Sequence, residues 1–385
     1  MLQTHQSSGP TELLGEDLSS MMMQSGQRCL TMLCPLHPAN PDRSGDRISL
    51  KHLSQQAALL IKQHWQPVQA DQMLHQLEVM MNQIDLVRPP KGLGIYLHPA
   101  FHRVELFSFA VPPLVQIDER FLIREWLWRM QINRPVYLLN LSEKSARLEE
   151  IREGDWFAIN DHHFPLVFFD DHEYSKPVRS TSYAGQAHVK SYERDKTEMQ
   201  QIRLRDYYHD TDTALNPYLM HGEPLILVGA ERDISLFRQV AATGRNVIAQ
   251  ISGNFQHAHQ EIFRDKVNHV LMEYRQSQLQ QEVSAFFESW GAGLARCGVA
   301  DCWEAVEKGQ GRMLLVERGF REGLFRSPAG TFSSEKSSTK SVWYPDVLDA
   351  LMHLTIEKGG DVRLVENNSL GSAQRVALIL RYPDL

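Results

Sequence analysis

Between His259 and Trp290 the chain carries two apolar stripes that face nearly opposite ways. Phe263, Val267, Val270, Leu271 and Tyr274 fall at i, i+4, i+7, i+8 and i+11, and Leu279, Val283, Phe286, Phe287 and Trp290 repeat the spacing 16 residues later. Each set has the helical period. At about 100° per residue the offset is roughly 160° around the axis. One long helix, or two joined at a kink, then packs one end into a middle domain and the other into a third. The length, 385 residues, agrees, because a chain of this size splits into two or three cores.

The rest of the chain divides around that segment. Residues 1–27 are polar and small and are expected to form a flexible tail, with Met21, Met22 and Met23 able to dock. A first α/β domain, 28–130, opens with an apolar strand, Cys29 to Cys34, stopped by Pro35. A helix follows with the stripe Leu50, Leu53, Ala57, Leu60, Ile61 and Trp65, then a second over about 70–84. Strands at 92–97, 103–109 and 114–117 read as a meander with proline-marked turns. The middle domain, 131–257, has strands at 136–141, 146–151, 155–159 and 166–169. A long polar helix with Met199, Ile202 and Tyr207 on one side leads to a strand, a helix and a last strand at 246–251. Paired strands followed by alternation predict a mixed sheet with helices against it. The last domain, 258–385, carries a helix near 299–306 and a strand at 312–316. A mobile Ser/Lys loop at 327–340 and a helix opened by Pro345 follow, then Gly359-Gly360 and strands at 362–365 and 376–380. The predicted fold class is mixed α/β in three domains.

The net charge of -7 argues against a general nucleic-acid coat, so any such contact comes from local patches. No apolar run approaches the roughly 18 residues of a membrane span. The N-terminus lacks a basic start followed by an apolar stretch, and a cytoplasmic location is expected. Cys29/Cys34 and Cys297/Cys302 are each spaced C-x4-C. Zinc ligation is one reading; buried reduced thiols fit better, because the offset in a strand points Cys29 and Cys34 to opposite faces.

The segment 174–192 stands apart. It carries Lys176, Arg179 and Lys190 and no carboxylate inside an acidic chain, and Pro177 and Gly185 mark it as a mobile loop. A helix is expected where the loop ends. A basic loop tipped by Gly185-Gln186 and backed by a rigid helix suits a probe of a polyanionic cavity; a surface hairpin with scattered lysines is the plainer reading. Asp161-His162-His163 and Asp170-Asp171-His172 flank the strand at 166–169. They read either as ligands of a divalent metal or as turn residues at two strand ends. No metal or cofactor site is assigned.

From about Arg28 to Pro383 the chain resembles the bacterial branch of the archaeo-eukaryotic class-1 release factor and Pelota superfamily. The residues that carry this are Leu33-Cys-Pro-Leu-His-Pro38, 47–53 and 92–104 in the first domain. In the second they are Val136-Tyr-Leu-Leu-Asn-Leu141 with 142–148, and Leu225-Ile-Leu-Val-Gly229; in the third, 298–309, 359–362 and 375–383. The resemblance implies a divergent N-terminal domain, an RNase H-like middle domain and an L7Ae-like terminal domain. In true release factors a Gly-Gly-Gln loop enters the peptidyl-transferase centre and helps water attack the peptidyl-tRNA ester. The corresponding residues are Ala184-Gly185-Gln186, followed by a basic continuation with His188, Lys190 and Arg194. Gly185 and Gln186 carry over as candidate catalytic residues; Ala184 replaces the first glycine, and alanine pays about 1 kcal/mol or more for the φ values glycine can hold. The decoding tetrapeptide Asn-Ile-Lys-Ser is absent.

The resemblance therefore implies a ribosome-binding protein of the stress-responsive, hibernation or rescue type. It would contact rRNA in the A site and near the peptidyl-transferase centre through Lys176, Arg179, Tyr183, Ala184, Gly185, Gln186, His188, Lys190 and Arg194. A translational GTPase of the elongation-factor type is an expected partner, and a membrane is not. Peptidyl-tRNA hydrolysis by Gln186 is the alternative, and a metal-dependent nuclease the weaker one. Trp126, Trp128, Trp343 and Tyr344 read as core or domain-interface aromatics in preference to base-stacking platforms. The Lys336–Lys340 loop either touches rRNA phosphate or is solvated.

Overall fold

The structure, a computed structural model, describes residues 16–24, 28–38, 44–84, 90–152, 155–168, 183–253 and 260–383; the side chains of 16–17, 183–198 and 260 lie outside that description. The chain forms two compact units, Met1–Gln131 with Leu279–Leu385, and Ile132–Gln278. The sequence-based divisions at 130/131 and 257/258 compare with 131/132 and 278/279 here.

The first unit begins with α1 (Glu16–Met22). Leu18 and Met21 are fully buried, so this part of the expected tail is a docked helix. Strand β1 (Cys29–Pro35) is buried at every position but the last. It needs a neighbour on both edges, and it has them: with β2 (Gly92–His98), β3 (Phe101–Phe107) and β4 (Leu114–Asp118) the sheet order is β3-β2-β1-β4. The expected meander is corrected, because β4 pairs with β1 and not with β3. Pro112 and Pro113, which lack the amide donor a ladder needs, precede β4. Helices α2 (Ser44–His64) and α3 (Pro67–Asn82) cover one face. Leu50, Leu53, Ala57, Ile61, Met73 and Leu77 pack there on Leu30, Met32, Cys34 and Ile95. Burial lifts the Cys34 thiol to about 11 and the Cys29 thiol to about 12, and all four cysteines are free. Tyr96 meets Phe121 and Trp126 edge-on, with ring centres 5.7 and 6.2 Å apart. Gly94 makes room for this, since a Cβ there would stand 2.8 Å from the Tyr96 ring and 2.9 Å from Phe107. Helix α4 (Arg124–Ile132) buries Trp126 and Trp128.

The second unit contains β5 (Val136–Leu141), β6 (Ser145–Arg152), β7 (Asp155–Ala158) and β8 (Leu166–Val167), then α5 (Tyr183–Leu215), β9 (Leu225–Gly229), α6 (Glu231–Val240) and β10 (Val247–Ser252). The sheet order is β10-β9-β5-β6-β7, with β8 on β6. Strands β10, β9 and β5 are parallel, and β5, β6 and β7 antiparallel. The apolar run Leu225–Gly229 is buried throughout, as a central parallel strand covered on both faces must be. The next helix, α7 (Gln260–Gly291), is a single element of 32 residues. Its first stripe, Val267 and Leu271 with Phe263 and Val270 beside them, packs on Val136, Leu138, Ile226 and Val228.

Its second stripe belongs to the first unit. Phe286, with Leu279 and Val283, packs on Leu315, Val365, Ala377 and Ile379. These come from the sheet of β11 (Ala295–Cys297), β12 (Gly311–Glu317), β16 (Asp361–Val365) and β17 (Val376–Leu380), in the order β11-β17-β12-β16. Helix α8 (Val299–Glu307) follows β11. The stretch 327–340, expected as a mobile loop, holds the short strand β14 (Phe332–Ser333), which with β13 (Leu324–Arg326) before it and β15 (Val342–Tyr344) after it forms a small sheet of order β14-β13-β15. Helix α9 (Val347–Glu357) is opened by Asp346, whose carboxylate accepts from the amides of Leu348 and Asp349. Pro345 lies before that cap, outside the helix.

Asp346 also joins the two chain ends of this unit. Arg124, 1% exposed, donates to it at 3.0 Å, and Arg321 at 3.1 Å; Arg321 also reaches Glu125. Asp349 accepts the amides of Ile123 and Arg124 at 3.1 and 3.2 Å. Nε2 of His353 donates to the Phe121 carbonyl at 2.8 Å, and burial pushes the imidazole down to about 4, keeping it neutral. The Gln131 amide pairs with both backbone groups of Leu364, at 2.8 and 3.0 Å, like a strand residue. Buried charges of this kind are tolerable only when paired, since an orphaned partner costs about 3–5 kcal/mol.

Candidate functional site

Helix α5 is 33 residues long, or about 50 Å. It is ended by Asn216-Pro217, since proline removes a helical donor and clashes with the preceding turn. Its described buried residues lie toward the C-terminal end. Leu204, Tyr207, Tyr208, Ala214 and Leu215 pack on Leu139, Leu141, Leu148, Phe164, Leu227 and Phe237. Asp212, itself buried, accepts the amides of Ala242 and Thr243 at 2.9 and 3.1 Å and the Thr243 hydroxyl. Upstream, Met199 and Ile202 are exposed. The expected apolar side through Met199 and Ile202 is thus corrected to one that starts at Leu204, where the sheet begins.

The described part of the expected probe is the start of this helix. Tyr183, Ala184, Gly185, Gln186, His188, Lys190 and Arg194 all lie in its first 12 residues, so helix replaces the loop expected through Tyr192. Lys176 and Arg179 lie outside the described residues, as do Asp170, Asp171 and His172. Helical spacing sets Tyr183, Gln186, Lys190 and Arg194 within about 80° of one another around the axis, while His188 falls elsewhere. Gly185 stands 19 residues before Leu204, the first buried residue among the described side chains of the helix, or about 28 Å along the axis. The first turn holds no carboxylate, and the helix dipole adds positive potential there. In a helical turn φ is near -63°, which alanine adopts freely. The strain expected at Ala184 therefore does not arise; alanine favours this turn over glycine by about 1 kcal/mol.

Asp161 has a structural occupation. Its carboxylate accepts the amides of His163 and Phe164 at 2.8 and 3.0 Å and the Tyr218 hydroxyl. The Tyr218 hydrogen bond, ahead of the two amides, holds it at about 2. Asp161-His162-His163 thus forms a turn tied to the end of α5. Among the described residues no group of three or more His, Cys, Asp or Glu could hold a metal ion. No described helix is long and apolar enough to cross a membrane.

The supports of the site escaped the sequence reading. Asp212 and Thr243 are 31 positions apart, and no local pattern joins them.

Comparison with known proteins adds the following. Residues 135–310 match the model of bacterial archaeo-eukaryotic release factor family 3. No curated protein matches the chain. Among solved structures, the archaeal translation termination factor aRF1 is similar at 15% identity, over 97% of this chain and 99% of that one, with a TM-score of 0.25. An archaeal Pelota, described as ribosome-bound with ABCE1, is similar at 12% identity over 96% and 94%, with a TM-score of 0.42. Dom34 of S. cerevisiae, described as termination-like and interacting with Hbs1, is similar at 12% identity over 79% and 78%, with a TM-score of 0.41. The matched region, 135–310, holds β5 to β10, all of α5 and its Ala-Gly-Gln start, and over that span this chain is similar to bacterial archaeo-eukaryotic release factor family 3.

Proposed function

We propose that this protein binds the ribosome in the A site and extends the segment 174–192 towards the peptidyl-transferase centre, in hibernation or rescue and not in stop-codon termination. The observation that carries the reading is α5: a 33-residue helix with Ala184-Gly185-Gln186 in its first turn, packed on the sheet through Leu204 to Leu215. An rRNA cavity is a polyanion lined with phosphate. A helix N-terminus without carboxylates, followed by Lys190 and Arg194 and preceded in sequence by Lys176 and Arg179, suits it. The three-domain organisation and a GTPase partner of the elongation-factor type complete the proposal; both rest on the family resemblance.

The helical start favours a contact over a catalyst. Hydrolysis needs the glutamine held within a fraction of an ångström of the attacking water, and Ala184 is the residue that departs from the hydrolytic motif. Co-sedimentation with ribosomes in a sucrose gradient tests the reading. Changing Lys176, Arg179 and Lys190 together to Gln should release the protein at moderate salt, whereas Gln186→Ala should leave binding intact. Sedimentation free of ribosomes in every growth phase would refute the proposal. Peptide release that depends on Gln186 would replace it by the hydrolytic alternative.

A further inference from the structure

The small sheet β14-β13-β15 presents two different faces. On one, Arg326, Phe332 and Tyr344 pack against Trp303 of α8. The Trp303 ring centre lies 5.3 Å from that of Phe332 and 5.2 Å from that of Tyr344. The Arg326 guanidinium lies 5.2 Å from the same ring. That face anchors the sheet. On the other, Phe325 and Trp343 are cross-strand partners, with ring centres 4.6 Å apart. Trp343 is 47% exposed and its neighbour Val342 55%. The ring is held in place: a Cβ at Gly323 would lie 2.6 Å from it, so only glycine lets it settle there. The expectation that Trp343 is a core or interface aromatic within the chain is corrected by this exposure.

The surroundings select a partner. From Gly323 to Pro345 the chain has three cations, Arg326, Lys336 and Lys340, and one carboxylate, Glu335, in a protein of net charge -7. Lys336 and Lys340 are exposed. Their loop is shaped by its serines: the Ser338 amide donates to Ser341 Oγ and the Lys340 amide to Ser338 Oγ, each at 3.2 Å. Lys340 is three residues before Trp343, within about 10 Å along an extended chain. The exposed apolar area is small. A tryptophan presents roughly 250 Å² at most, far below the about 800 Å² that each partner buries in a stable protein interface. One fixed aromatic face beside two free ammonium groups instead has the dimensions of a stacked base with its flanking phosphates.

We propose that Trp343, supported by Phe325, stacks an unpaired base of single-stranded RNA, with Lys336 and Lys340 on the adjoining phosphates. This contact is independent of α5 and does not rest on the reading of the Ala-Gly-Gln segment. Full-length protein is titrated into fluorescently labelled 12-nucleotide oligo-U and oligo-A, read by anisotropy. Trp343→Ala weakens binding about tenfold, and Trp343→Phe, which retains a π-face, restores most of it. The double change Lys336→Gln with Lys340→Gln lowers the slope of log K against log salt by about 1.4. Duplex RNA competes poorly because its bases are already stacked and paired. An unchanged melting temperature for Trp343→Ala secures the comparison. Equal affinity of wild type and Trp343→Ala, no binding to either oligonucleotide, or equal competition by duplex would overturn the proposal. If Trp343→Ala leaves RNA affinity intact but removes chemical crosslinks to ribosomal protein, the patch is a protein surface. Loss of ribosome co-sedimentation with oligonucleotide binding intact would count against the A-site reading alone.

Discussion

Two helices of nearly equal length, 33 residues in α5 and 32 in α7, differ in where the chain buries them. In α7 the apolar residues come in two stripes, and Val267 and Phe286 at the centre of each are fully buried. Among the described side chains of α5, Leu204 is the first that is buried, and the preceding Met199 and Ile202 face solvent. Helices in folded proteins owe little of their stability to propensity and most to packing of one face. Helix α7 is therefore packed through both of its stripes, while among the described side chains of α5 packing is concentrated from Leu204 onward. The Ala-Gly-Gln stretch lies at the other end of α5, in its first turn.

The contrast can be attacked from both helices. The largest effect should come from Phe286→Ala, which leaves a cavity in the core it fills and costs about 3–5 kcal/mol in urea unfolding. Leu204→Ala, at the first buried turn of α5, should cost about 2–5 kcal/mol by the same measurement. If it proves neutral, the anchored end of the helix begins further along. Gln201→Pro breaks the helix upstream of that anchor. It should move the urea midpoint by less than about 1 kcal/mol while abolishing hydrogen-exchange protection at 183–200 and ribosome co-sedimentation. A proline at Val270 in α7 should instead cost about 3 kcal/mol or more. The smallest effect should be that of Ile202→Ser, within about 0.5 kcal/mol. A larger loss would show that the exposed half of α5 has a packing partner.

Much of this architecture could be read from periodicity. The double stripe of α7 predicts one helix serving two cores, and that is what forms. The continuous apolar runs at 136–141 and 225–229 predict buried strands, and β5 and β9 are central. Where pairing is non-local the sequence reading fails. The strand β4 was assigned to β3 because they are neighbours in sequence, yet β1, more than 80 residues earlier by register, takes it. The small sheet carrying Trp343 leaves no signature in the sequence, because strands of two or three residues have too few positions to show a period of two. The candidate site is divided in the same way: residue types and spacing name Gln186, Lys190 and Arg194, but only the start of α5 at Tyr183 shows that they share a helix.

The sequence by itself determined the helix and strand faces and the Ala-Gly-Gln stretch, because periodicity and residue identity are local properties. Tertiary structure decided what those faces meet. It joined the two segments of the first unit through Arg124, Asp346 and Asp349, buried Leu204 to Leu215 of α5 against the sheet, and turned Trp343 outward. Each of these depends on residues distant in sequence being brought within a few ångströms, where the cost of burying a charge or a ring is set by the partner that arrives.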